Sequence, residues 1–485
     1  MSETLVIHKY DEVYVKVKSE ASTAYELSEH FTFSVPGAKF SPAFRNKVWD
    51  GKIRLFNVMT GLVYAGLVPY IENFAKERNY EVEYSGDFTQ QEFSLKEAED
   101  FIKTIDLPAQ YQVRDYQLSA FAHSVRKHRA LLLSPTASGK SLIIYLLMRY
   151  YNARTLIIVP TTSLVSQLSS DFADYGFDSD SRVHKIHAGQ SKHSSLDVTI
   201  STWQSIYKMP KEYFRSFDVV IGDEAHLFKA KSLTSIMGKL IECKYKFGFT
   251  GTLDGTQTNK LVLEGLFGAV KKVTTTSELI DQKHLAEFKI KAIVLSYDEE
   301  TRKIVSKMDY QAEIDWIVRN PARNKFIKNL ALSLKGNSLL LFQFVEKHGD
   351  VLYDMINKAA DGRNVYYVAG KTETEDREYI RKIIETETDA IIVASSGVFS
   401  TGINIKNLHN VVFTSPSKSR IKNLQSIGRV LRKSESKTAA TLYDIADDLS
   451  HKSKQNYTIQ HFKERVKIYS EEQFPYKIYP VSLKT

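Results

Sequence analysis

The stretch from Ala130 to Tyr150 narrows most what this chain can fold into. An apolar run, Ala130 to Leu133, enters the loop Ser134-Pro135-Thr136-Ala137-Ser138-Gly139-Lys140-Ser141, and a helical segment, Leu142 to Tyr150, leaves it. A strand, a small-residue loop and a helix in direct succession belong to a parallel sheet with crossover helices. The N–H groups of such a loop and the positive end of the helix dipole converge on one point, which suits phosphate. In that setting Lys140 bridges two phosphates and the Ser141 hydroxyl ligates Mg²⁺, with Thr136, Ala137, Ser138 and Gly139 as the cradle. Ser134 stands where the strict pattern has its first glycine.

A second segment fits the first. Val219-Val220-Ile221 reads as a buried strand, and Asp223-Glu224-Ala225-His226 follows at its C-terminal end, where open parallel sheets bind ligands. Asp223 is placed to hold Mg²⁺ through its hydration shell and Glu224 to polarise a water. Upstream, Tyr116 and Gln117 offer an aromatic platform and an amide able to read adenine. Much further on, Gln425-Ser426-Ile427-Gly428-Arg429-Val430-Leu431-Arg432 supplies two fixed cations. The three segments together describe an ATPase whose site is shared by two domains.

The rest of the chain agrees with that division. Buried-strand runs alternate with helical segments from Tyr116 to about residue 280, and a second alternation starts near Ile290, with runs at Ser338 to Phe344, Asn364 to Val368, Ala390 to Ala394 and Asn410 to Thr414. The expected organisation is a small α/β domain over 1–88, a helical linker over 89–113 with a capping box at Ser94-Leu95-Lys96-Glu97, α/β domains over 114–280 and 281–455, and a basic tail over 456–485. A length of 485 residues agrees, being too great for one core. The net charge of +9 favours a polyanionic partner. A lone cysteine, Cys243, excludes an internal disulfide and fits a reducing compartment. No apolar window is long enough for a membrane span and Met1-Ser2-Glu3-Thr4 lacks a signal-peptide pattern, so the expectation is a soluble intracellular protein with no membrane partner.

With these residues in place the chain resembles superfamily 2 helicases and translocases over about residues 114 to 450. Beyond the three segments above, Val159-Pro160-Thr161, Ser201-Thr202-Trp203-Gln204, Thr250-Gly251-Thr252, Leu341-Phe342 and Ser400-Thr401-Gly402-Ile403-Asn404 follow the family's motif order. The resemblance implies two tandem RecA-like parallel-sheet domains behind a small N-terminal α/β domain, with ATP and Mg²⁺ as cofactors. It implies Arg429 and Arg432 as arginine fingers, Gln425 beside them, and Gly402 at the nucleotide. It also implies nucleic-acid contacts at Thr161, Thr162, Thr202, Trp203 and Thr401, and coupling of hydrolysis to movement through His226, Thr250 and Thr252. The segments Phe40 to Arg45 and Trp49 to Arg54 extend the likeness to the recombination helicases of T-even-type phages. That likeness implies a 3′-to-5′ enzyme that migrates branches and dissociates R-loops and D-loops. Its partners would be double-stranded and branched DNA (forks, Holliday junctions, D-loops), RNA–DNA hybrids, and recombination or single-strand-binding proteins. Its location would be the cytoplasm of an infected bacterium.

Ahead of the motor, Lys39, Arg45, Lys47, Lys52 and Arg54 oppose one acid, Asp50, and alternate with Phe40, Phe44 and Trp49. Cations beside aromatics suit backbone binding and base stacking; the competing expectation makes the aromatics core and the cations a solvated face. Two other functions fit the motor motifs, a DEAH-type RNA helicase and a nucleic-acid-binding scaffold with a weak motor. Intact Lys140, Glu224, Arg429 and Arg432 weigh against the scaffold.

Overall fold

The computed structural model describes residues 3–35, 37–186, 191–253, 256–370, 372, 374–401, 405, 407–416 and 439–483. It divides into two compact units, residues 1–134 with 139–273 and residues 135–138 with 274–485.

The first unit is built on seven parallel strands: Arg129–Leu133, Thr155–Val159, Val183–Ile186, Val198–Thr202, Val219–Asp223, Tyr245–Thr250 and Val270–Lys272. Counted in chain order, they lie side by side as 3-4-2-5-6-1-7. The inner strands are largely continuous apolar runs because both faces are covered. Leu131, Leu156, Ile158 and Val220 face one core, while Ala130, Leu132, Ile157, Val219 and Ile221 face the other.

The N-terminal residues add a five-stranded sheet in the order Phe56–Asn57, Leu62–Tyr64, Tyr14–Lys18, Thr4–Lys9, Glu81–Ser85, with the helices Ala21–His30 and Val68–Glu77 beside it. The apolar run Ile53 to Phe56 is divided between two strands. Lys52–Arg54 pairs with Thr32–Ser34 in a separate ribbon, and Phe56–Asn57 joins the larger sheet. The core of this domain is continuous with that of the large sheet. Leu67, Ile71 and Phe74 belong to the same buried cluster as Leu261, Leu266 and Phe267 of the helix Gln257–Phe267.

Residues 89–113 are bound into the unit. Their helix, Leu95–Lys103, opens on the reciprocal cap expected at Ser94 and Glu97, and Phe93, Ala98 and Ile105 enter the second core of the large sheet. Phe101 stacks on Phe121 with centroids 5.6 Å apart.

The second unit repeats the plan. Its seven strands are Glu287–Ser296, Ser338–Phe342, Val365–Val368, Ile391–Ser395, Asn410–Phe413, Ala439–Asp448 and Tyr476–Ser482. They too are parallel and run 3-4-2-5-6-1-7. The α/β fold with two tandem parallel sheets and a small N-terminal domain is therefore present. The expected tail is part of the second sheet, supplying the helix Tyr457–Glu471 and the edge strand Tyr476–Ser482.

Candidate nucleotide site

Three neighbouring strands of the first sheet bring the predicted chemistry together. Val219–Asp223 ends in the acidic segment, Tyr245–Thr250 lies beside it, and Arg129–Leu133 comes next and runs into the loop. The Ser134 N–H donates to the Thr250 carbonyl at 2.8 Å, which fixes the root of the loop to the middle strand. Within the loop, the Ser138 hydroxyl donates to the Pro135 carbonyl at 2.7 Å and Ala137 takes a left-handed φ of 66°. Thr136 is half-buried between them. Gly139 has φ 77°, and a Cβ there would lie 2.3 Å from Gln117 Nε2, so conformation and space both require glycine. The helix Lys140–Tyr151 starts at the next residue.

Lys140 Nζ lies 3.6 Å from Glu224 Oε1 and 3.9 Å from Asp223 Oδ1. Burial pushes the Asp223 carboxyl above its ordinary value; Lys140 opposes that push and the neighbouring Glu224 adds to it. Glu224 is a non-glycine residue at φ 50°, and its N–H donates to Asp223 Oδ1 at 2.9 Å. A backbone held in that region costs on the order of 1–3 kcal/mol and persists where its surroundings enforce it. The donor set fits Mg²⁺. Two carboxylates stand beside the loop that leads to the Ser141 hydroxyl, and the Lys140 ammonium lies within 4 Å of both.

The acidic segment continues into a hydrogen-bonded line. His226 Nδ1 is 3.4 Å from Glu224 Oε2 and 3.0 Å from Thr250 Oγ1, and the Thr250 hydroxyl donates to the Thr252 carbonyl at 2.9 Å. Thr250 and Thr252 are both buried. The three residues expected to couple hydrolysis to movement are thus in one chain of contacts that begins at Glu224.

The other expected residues have these surroundings. Gln117 is buried, takes the Arg114 N–H on its Oε1 at 2.9 Å and directs Nε2 at the Gly139 carbonyl at 3.4 Å, so its amide serves the loop. The half-buried Tyr116 receives a hydrogen bond from Arg114 Nη1 at 2.7 Å. Thr161 caps the helix Thr162–Asp174 by accepting from the Leu164 N–H, and Thr162 is exposed in the first helical turn rather than in a loop. Thr202 is buried against Ser205, and Trp203 packs half-buried on the core with its ring against Tyr207. The side chain of Thr401 and the whole of Gly402, Gln425, Arg429 and Arg432 lie outside the described residues. Sequence reading missed Tyr175, whose hydroxyl is 2.8 Å from that of Ser141. Nothing in an isolated tyrosine 34 positions away marks it.

In the N-terminal domain the basic, aromatic segment is an exposed insertion between Thr32–Ser34 and Lys52–Arg54. Phe40 is 67% exposed and Phe44 38%, so these two aromatics are not core as the competing expectation had them, and Val48 beside them is 81% exposed. Trp49 is half-buried and donates from Nε1 to the Lys52 carbonyl at 2.8 Å. Arg45 Nη2 donates to the Phe40 carbonyl at 3.1 Å, Lys39 Nζ sits 5.2 Å from the Phe40 ring centre, and Lys47 and Lys52 are exposed.

Comparison with known proteins adds the following. Residues 4–85 match the family model for the N-terminal domain of the DNA helicase UvsW. Residues 110–255 match that of the res subunit of type III restriction enzymes, and residues 322–434 that of the helicase conserved C-terminal domain. The chain is 38% identical to the ATP-dependent DNA helicase UvsW of Enterobacteria phage T4, over 98% of this chain and 99% of that protein. It is 23% identical to the DNA 3′-5′ translocase XPB2 of Sulfurisphaera tokodaii, over 72% of this chain and 85% of that one. The crystal structure of T4 UvsW superposes with a TM-score of 0.52 at 36% identity, covering 100% of both chains.

Proposed function

The chain belongs to the UvsW family of ATP-dependent DNA helicases, and from that membership we propose that it is a 3′-to-5′ translocase that remodels branched DNA. Its substrates on this reading are forks, Holliday junctions, D-loops and R-loops, and its role is in recombination, repair and replication. The observation that supports it best is the meeting of Lys140, Asp223 and Glu224 within 4 Å at the C-terminal end of the first sheet.

When bound, MgATP supplies the phosphoanhydride and Mg²⁺ the charge neutralisation. Asp223 and Ser141 are the residues that would hold the metal. Lys140 carries the positive charge of the loop and would steady the phosphates. Glu224 accepts hydrogen bonds and orients the attacking water. His226 and Thr250 transmit the state of Glu224 to the segment ending at Thr252. Arg429 and Arg432 complete the site as arginine fingers.

Branch migration exchanges one base pair for another, so stacking of about 1.4 kcal/mol per step largely cancels and ATP serves direction rather than net melting. Such a motor needs a grip on duplex more than a wedge. The exposed insertion with Arg45, Lys47 and Lys52 beside Phe40 and Phe44 is that grip.

The test is hydrolysis and strand displacement by the purified chain on duplex, forked DNA, four-way junctions, R-loops and RNA forks. Charge reversal of Arg45, Lys47 and Lys52 to Glu is expected to weaken fork and junction binding, flatten its salt dependence and leave basal hydrolysis in place. Equal unwinding of RNA and DNA forks would favour the RNA helicase reading instead. Parental binding by the charge-reversed chain would move the grip elsewhere.

A further inference from the structure

A buried carboxylate ties the N-terminal domain to the first sheet. Glu264, 3% exposed, lies in the helix Gln257–Phe267. Its Oε2 accepts from the Tyr70 hydroxyl at 2.5 Å, and Tyr70 belongs to the helix Val68–Glu77 of the N-terminal domain. Its Oε1 accepts from the Val270 N–H at 3.0 Å. Val270 opens the edge strand that pairs with Leu131 to Leu133, the residues that feed the phosphate loop, and the Val273 N–H donates to the Leu133 carbonyl at 2.9 Å. One side chain therefore bonds to the N-terminal domain and to the strand flanking the root of the loop.

The main chains close up at the same place. A Cβ on Gly66 would lie 2.0 Å from the Glu264 carbonyl oxygen, and one on Gly265 would lie 2.9 Å from Tyr64 Cβ. Neither glycine has a positive φ, so close approach and not backbone conformation calls for them. Apolar packing would bury this surface at lower cost than a carboxylate. What the carboxylate adds is direction, because its two hydrogen bonds hold only at one position of the domain on the helix.

We propose that Glu264 is a positioning residue that locks the N-terminal domain in one orientation on the first sheet, so that DNA held by the insertion moves with the nucleotide site as one body. The proposal rests on the reading of that insertion as the DNA grip. Without the lock, hydrolysis continues but each turnover advances the DNA less.

The experiment uses the full chain with Tyr70→Phe, which keeps the ring and removes the donor. Glu264→Gln, which keeps an acceptor for Val270 and a polar partner for Tyr70, is the rescue variant, and Gly66→Ala forces the backbones apart. For each, the rate of fork unwinding is divided by the rate of DNA-stimulated hydrolysis, with basal hydrolysis, fork affinity and thermal midpoint measured alongside. Tyr70→Phe and Gly66→Ala are expected to lower that quotient about five-fold or more, with basal hydrolysis and fork affinity unchanged and Glu264→Gln near the parent. A parental quotient for Tyr70→Phe overturns the proposal. So does a fall that only follows a loss of basal hydrolysis and thermal midpoint, since that is local unfolding. If Gly66→Ala does not fold, Tyr70→Phe against Glu264→Gln decides. Failure of the DNA-grip reading shows separately, as parental fork binding by the charge-reversed insertion.

Discussion

Lys140 holds two acids that repel each other, so single substitutions there separate binding from turnover. Lys140→Ala removes the cation 3.6 Å from Glu224 and is expected to abolish hydrolysis and weaken nucleotide binding. Glu224→Gln keeps the shape and loses the base. It should bind ATP as the parent does while hydrolysis falls by a factor of about 10² to 10⁴, and parental turnover by this variant would refute its role. Histidines set the acid limit. Burial pushes His348 down to about 3, with Arg323 adding to the effect, and pushes His123 down to about 4. Both stay neutral in the folded chain, so stability is complete above the ordinary histidine value of about 6.5 and is lost as pH falls from there toward 4 and 3. Melting curves between pH 7.5 and 4.5 should show that fall, and His348→Gln should flatten it. At this scale the motifs made Lys140, Asp223 and His226 legible, because each stands in a short segment at the end of a buried apolar run. Tyr175 and Glu264 were not legible. Their partners Ser141 and Tyr70 are brought to them only by the packing of whole elements.

Among the elements, the C-terminal helix Tyr457–Glu471 shows how a basic, aromatic segment is made part of a core. Glu313, 1% exposed, accepts from the N–H groups of Tyr457 and Thr458 at 3.0 and 2.8 Å, and from the Thr458 hydroxyl and Asn456 amide at 2.8 and 3.0 Å. An anion at a helix N-terminus is stabilised by the orphan donors and the dipole together. Further along, Arg465 bonds to Asp444 and the Tyr469 hydroxyl donates to the same carboxylate at 2.8 Å, all buried. Glu313→Ala leaves several donors without an acceptor and is expected to cost about 2–4 kcal/mol, read as a lower denaturation midpoint and earlier proteolysis after residue 450. At the surface, Ser94→Ala breaks the reciprocal cap with Glu97 and should cost about 1 kcal/mol. The continuous apolar strands were legible as runs from the sequence, and the cap at Ser94 as a spacing. Tyr476–Ser482 was not, because it is an edge strand exposed along nearly its whole length and its apolar residues are interrupted by Lys477 and Pro480. Val183–Ile186, also at an edge, escaped for the related reason that only its ends are buried.

For the molecule as a whole, the repeated strand order 3-4-2-5-6-1-7 in both units is the strongest sign of tandem motor domains, and the alternation of runs and helical segments already pointed to it. The sharing of the first core was hidden, since no local pattern says that Leu67 and Phe74 belong to the same buried cluster as Leu266 and Phe267. It changes what truncation does. Removing residues 1–88 uncovers Leu261, Leu266 and Phe267 rather than freeing a motor. Such a fragment is expected to aggregate or melt well below the full chain in light-scattering and thermal scans, whereas a fragment of residues 1–280 keeps the shared core and should fold.

The same shared core sets a timetable for a chain made from its N-terminus. The first 85 residues leave the ribosome before the rest of the buried cluster they share, whose last buried member is Phe267. At about 5–20 residues per second that interval is roughly 10–40 s. Through it the nascent domain offers its apolar side to chaperones and to other nascent chains, and it closes only when the helix carrying Glu264 arrives.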